Sequence, residues 1–196
     1  MGAARSRLLA AALELFMRHG VSGTSLQMIA DELGVTKAAV YHQFQSKEDI
    51  VGAVIAPALE ELEAVADAAE ARRRRGDRLR VALEGVVDLV VRHRGLFAMI
   101  MTDPEVGRLV RSRPPLRGLE ARIEAVLTGP DPDAETLVNS AMVSGALLVA
   151  GMDPRLTGLD DETLRRHLSA TVFRMLRLRP RTAGTTDAAG AANARG

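Results

Sequence analysis

With 196 residues, 47% of them hydrophobic and 26% charged, the chain has the length and balance of a folded globular protein, which excludes a disordered or fibrous polymer. It has no cysteine, so disulfide frameworks, thiolate metal sites and cysteine nucleophiles are excluded, and the cytoplasm is the expected compartment. The net charge is +1 and residues 1–50 are balanced between acid and base, so any affinity for nucleic acid must come from local placement.

The spacing of Leu8, Leu9, Ala12, Leu15 and Phe16 predicts a first helix from Arg5 to His19, stopped by Gly20. Arg5, Arg7, Glu14 and Arg18 interrupt it too often for a secretory signal. Thr24 or Ser25 is placed to cap a short second helix with Leu26, Ile29, Ala30 and Leu33 as its apolar stripe, ending at Gly34. Thr36 caps a third short helix through His42, anchored by Val40 and Phe44. Ser46 caps a long fourth helix carrying Ile50, Val54, Ile55, Leu59 and Leu62, with a possible kink at Pro57.

The run Arg72 to Arg75 reads as a solvated surface loop before the next helix. Leu79 to His93, Leu96 to Met101, Glu105 to Arg111 and Leu116 to Leu127 are predicted helices, separated by Asp103-Pro104 and Pro114-Pro115. Gly129-Pro130-Asp131-Pro132 breaks the chain before two last helices, Asp133 to Met152 and Asp160 to Leu178. Val138 to Met152 is the most apolar stretch but falls short of the roughly 20 residues of a membrane span, so a buried helix and no membrane association are expected. Residues 180–196 lack bulky apolar side chains and are expected to form a disordered tail. The expectation is therefore an all-α protein of about nine helices: a three-helix head over 1–50, a helical body over 51–179, and the tail.

Two short helices joined by a tight glycine turn and packed on a third form a helix-turn-helix, which projects one helix into the major groove of DNA. Thr36, Lys37, Ala38 and Ala39 open that helix with small or polar groups. Lys37 can donate to guanine acceptors and the alanines can meet a thymine methyl. Tyr41, His42 and Lys47 offer phenol, imidazole and ammonium groups to phosphates, and Thr24 and Ser25 offer hydroxyls and backbone donors to another.

The segment LLAAALELFMRHGVSGTSLQMIADELGVTKAAVYHQFQSKEDIVGAVI closely resembles the N-terminal domain of TetR-family regulators. The resemblance rests on the LF and Gly that end the first helix, the Thr-Ser before the second, the IA…LGV turn and the Y-x-x-F-x-S-K-E segment. It implies that Gln27, Lys37 and Ala38 face bases, that Thr24, Tyr41, His42 and Lys47 hold the backbone, and that Thr36 serves in either role. Where the family often carries Gly or Pro, this chain has Ala38, which bears on the operator sequence.

Such a head reads a short site weakly, so a homodimer on two half-sites is expected. The last two helices offer the stripes Leu164, Leu168, Val172 and Met175, with Thr171 alongside, and Leu137, Ala141, Ser144, Leu148 and Gly151. The resemblance implies an intersubunit four-helix bundle here and a small-molecule effector inside the body. Phe97, Met101 and Met142, with His93 and Asn139 as polar contacts, are the expected ligand-binding residues, beside Met99 and Met152. Catalysis is not expected. His19, His42, His93 and His167 form no i,i+4 metal pair, and neither a phosphate-binding glycine loop nor a nucleophile elbow is present, so no metal or cofactor is expected. The sequence leaves open a regulator without a small-molecule effector, and an activator in place of a repressor.

Overall fold

The computed structural model describes residues 2–112 and 114–178, and among these it contains ten α-helices, one 3-10 turn and no strand. The expected tail lies outside the described residues.

The head is α1 (Ala3–Gly23), α2 (Leu26–Leu33) and α3 (Lys37–Gln43), followed by α4 (Lys47–Glu70). Gly20 breaks the first helix as expected, with non-helical backbone at φ 71° and ψ 165°, and a further short turn follows the kink to Gly23. Ser25, Thr36 and Ser46 each cap the helix that follows. Ser46 does so reciprocally: its hydroxyl accepts from the Asp49 N–H while the Asp49 carboxylate accepts from the Ser46 N–H. Gly34 closes α2 in the left-handed region at φ 64°, where a side chain would be strained. α4 runs through Pro57, losing one backbone hydrogen bond without ending.

The body continues with α5 (Arg75–Arg92), α6 (Arg94–Thr102), α7 (Pro104–Arg111), α8 (Pro114–Thr128), α9 (Ala134–Met152), the 3-10 turn Pro154–Leu156 and α10 (Asp161–Met175). α4 crosses residue 50 without a break. One core joins Leu8, Phe16, Ile29, Val40 and Ile50 of the head to Leu89, Leu96, Met99, Val106 and Val110 of the body. A second core fills the space between α5, α9 and α10 with Leu83, Val87, Val90, Val143, Leu147, Leu164 and Phe173.

Helices α4 and α5 pack closely because Gly85 has no side chain: a Cβ there would lie 2.5 Å from Cγ2 of Val65. Gly85→Ala should improve helix propensity by about 1 kcal/mol yet overpack this contact by about 1–3 kcal/mol. We expect a net loss of about 1 kcal/mol, read as a lower denaturant midpoint in urea. Polar ties at the surface fix the same helices: Arg122 of α8 donates to Asp67 and Glu70 of α4, and Arg165 of α10 to Asp88 of α5.

At 19 residues, α9 is long and apolar enough to cross a membrane by length and composition alone, more than its apolar stretch suggested. It is not the buried core helix expected from sequence. Val143 and Leu147 pack inward, but Val138, Met142 and Val149 are 57%, 56% and 55% exposed.

Candidate nucleic-acid interface and body cavity

Helix α3 stands clear of the protein. From Thr36 to His42 every residue is exposed except Val40, which is fully buried and pins the helix to the core. Thr36 Oγ1 accepts from the Ala39 N–H at 3.2 Å, so the helix begins in a fixed register with Lys37, Ala38 and Ala39 outward. Tyr41 is 47% exposed, and the Lys37 ammonium lies 5.7 Å from its ring centroid, which biases that flexible cation toward the recognition face. Ser25 Oγ accepts from the Met28 N–H and remains exposed at the start of α2. Gln27, in the first turn of α2, is exposed, its amide nitrogen donating to Asp31 at 2.7 Å.

Thr24 is a correction. It is 2% exposed, its hydroxyl donates to Gly20 O at 2.8 Å, and its N–H is bonded to Val21 O. It closes the kinked end of α1 and has no free hydroxyl for a phosphate. Lys47 also works at that end, donating to Val21 O at 2.8 Å and Ser22 O at 3.4 Å while remaining half-buried.

The sequence did not point to Asp103, which joins head and body. One carboxylate oxygen accepts from the N–H groups of Glu105 and Val106, capping α7, and the other accepts from the Val21 N–H at 2.8 Å. Partial burial alone would raise its pKa, but the hydrogen bonds from Val21, Val106 and Glu105 and the nearby Lys47 charge outweigh it and hold the carboxyl below its ordinary value. Ser22 of α1 also donates to Glu105 of α7.

The helices of the body surround a partly open cavity of about 570 Å³. Its walls come from α4 (Ile55, Ala58, Leu59, Leu62), α5 (Leu83, Val86, Val90), α6 (Leu96, Phe97, Ile100, Met101), α8 (Leu116, Ile123, Leu127) and α9 (Leu137, Ala141, Ser144, Leu148). Arg111, Glu120 and Glu124 add charge to a wall that is otherwise almost wholly apolar. The volume is that of a pocket for a small organic molecule.

Of the expected ligand contacts, Phe97 and Met101 line this cavity; His93, Asn139 and Met142 do not. His93 sits at the α5–α6 joint with Nε2 3.2 Å from a Glu61 carboxylate oxygen. On α9, Leu137, Ala141, Ser144 and Leu148, the row expected to meet a second subunit, line the open side of the cavity and stay exposed, Leu137 at 48% and Leu148 at 39%, while Met142, about 100° around the helix from Ala141, faces away from the cavity. Gly151 packs against Val90 and Phe97 of the same chain. The stripe expected on α10 is also internal at Leu164 and Val172, both 2% exposed. Beside that row α9 also leaves uncovered Val138, Met142, Gly145 and Val149, at spacings of four, three and four with open space above Gly145.

Residues 8–54 match the model of the bacterial regulatory proteins of the tetR family. Over 52 residues, 26% of this chain and 24% of the relative, the chain is 46% identical to the HTH-type transcriptional regulator SrpR of Pseudomonas putida. Over 115 residues, 55% of this chain and 52% of the relative, it is 31% identical to the HTH-type transcriptional activator FasR of Mycolicibacterium smegmatis. The matches thus span about a quarter to a half of these relatives. The whole fold is similar to that of the ketosteroid transcriptional regulator KstR2 of Mycobacterium tuberculosis, with a TM-score of 0.70 at 21% identity over 89% of this chain and 95% of that one. Residues 8–54 thus form a helix-turn-helix DNA-binding head similar to that of tetR-family transcription regulators, and the chain as a whole shares the all-α fold of solved regulators of this kind.

Proposed function

We propose that the protein is a cytoplasmic, homodimeric transcriptional repressor that holds a pseudo-palindromic operator through α3 and is released when a small apolar molecule fills the body cavity. The observation that carries the reading is the exposure of Thr36 to His42 around the single buried anchor Val40, which leaves a rigid helix free to enter a groove. In this reading Lys37, Ala38 and Gln27 meet bases, Thr36 meets a base or the backbone, and Ser25, Tyr41, His42 and Lys47 contact the backbone.

The paired state rests on the uncovered apolar face of α9, where Leu137, Val138, Met142, Leu148 and Val149 are all exposed, since an apolar surface of this kind is rarely left to water. The ligand is read from the walls. With Phe97 the only aromatic side chain among them, the cavity suits an aliphatic or alicyclic molecule better than a flat aromatic one, in line with the ketosteroid regulator that shares the fold. Activation is the second reading, since FasR is named an activator.

Lys37→Ala should weaken binding by about 1–3 kcal/mol and relax the preference at one base position, measured by gel shift on duplexes selected from a random pool and on their single-base variants. Unchanged affinity and preference would mean that α3 does not read bases in this register. A panel of aliphatic and alicyclic acids and alcohols should contain members that raise the thermal midpoint and release DNA together.

A further inference from the structure

We infer that Arg5 is a further DNA-binding residue, a fixed phosphate clamp at the trailing end of the recognition helix; this rests on the reading of α3 as a groove binder. Arg5 lies in the first turn of α1, far in sequence from α3, yet its guanidinium carbon sits 4.5 Å from the centroid of the Phe44 ring. Phe44 is the C-cap of α3 and is itself buried, so the stack fixes the cation beside the last turn of that helix. A guanidinium stacked on a ring has one face covered, while its edge, where all five N–H donors lie, remains available to an anion.

The surroundings leave it that role. Arg18 on the same helix is paired with Glu14 and Glu32, but no carboxylate among the described residues pairs with Arg5, and the first turn of α1 contains no acidic residue. Arg5 is half-buried, so its place is set by packing and not by solvent. α3 has seven residues and is about 10 Å long, comparable to the roughly 12 Å width of the major groove. A cation fixed just past its C-terminal end therefore reaches the phosphates that wall the groove, next to Tyr41 and His42, and not the base edges.

The test uses the full-length protein and a fluorescein-labelled duplex selected by the wild-type protein from a random pool, with a scrambled duplex as control, titrated by anisotropy from 0.05 to 0.5 M salt. Arg5→Ala should reduce the slope of log affinity against log salt by about 0.9 for each head engaged, weaken both duplexes by the same factor, about eightfold per head at 0.1 M, and leave base preference unchanged. Arg5→Lys should keep the wild-type slope. If wild type binds with a steep slope and Arg5→Ala keeps that slope, with only its thermal midpoint lowered, Arg5 merely packs on Phe44 and the inference fails alone. If the wild-type protein selects no duplex, the groove-binding reading and the clamp fall together.

Discussion

Val149→Asp is expected to leave each subunit folded and to abolish its pairing. Val149 is more than half exposed on α9, so within one chain the aspartate stays in water and its own fold is unaffected. In a two-fold interface the same residue enters from both sides, so one substitution buries two carboxylates. Each uncompensated charge costs several kcal/mol to bury. The dissociation constant should therefore rise by at least about 10⁴-fold, the equivalent of about 5.5 kcal/mol. Sedimentation should show a monomer with unchanged circular dichroism, and affinity for a two-half-site duplex should collapse toward that of a single head. A variant that remained dimeric would place the interface elsewhere.

Asp103→Ala should destabilise the protein by about 2–4 kcal/mol, combining the loss of the α7 cap with a Val21 N–H left unpaired in a part-buried site. Asp103→Asn should recover part of this, since an amide oxygen still accepts while the charge beside Lys47 is gone. Because the folded-state pKa is depressed, this stabilisation is complete above the unfolded carboxyl value of about 3.9 and disappears as pH falls through the lower folded value. The gap in stability between wild type and Asp103→Asn should accordingly be constant near neutrality and close at acid pH, as followed by urea denaturation at each pH. A gap independent of pH into the acid range would show that the carboxylate charge contributes nothing.

The head was legible because its signals are local. Ser25, Thr36 and Ser46 are caps whose partners lie three residues away, Gly34 meets a left-handed turn, and Val40 is the one apolar anchor on a helix of otherwise outward groups. Thr24 was misread because the hydroxyls of Thr24 and Ser25 look alike in sequence; only the Gly20 kink, which turns the carbonyls of Leu15 and Gly20 toward Thr24, separates them.

In the body, helix positions were legible and facings were not. A helix that is polar on one side announces its inner face, but α9 is apolar nearly all round, so sequence could not say that Ser140, Val143, Leu147 and Gly151 are the positions that look inward. Met142 was placed in the pocket for that reason, although it faces away from it. Asp103 escaped notice because its position before Pro104 accounts for it as a helix cap, and its second partner, Val21, is 82 residues away. Arg5 and Phe44 are likewise distant in sequence and meet only through the fold.

Helix α9 is a single helix thick, with Leu137, Ala141, Ser144 and Leu148 toward the cavity and Val138, Met142 and Val149 away from it. On the proposed function, remodelling the cavity-lining row to accept a bulkier effector shifts the axis on which the neighbouring row is mounted, so ligand preference and fidelity of self-pairing cannot drift apart freely. Where related regulators share a cell, a lineage that acquires a new inducer by this route also alters which sister proteins it will mate with.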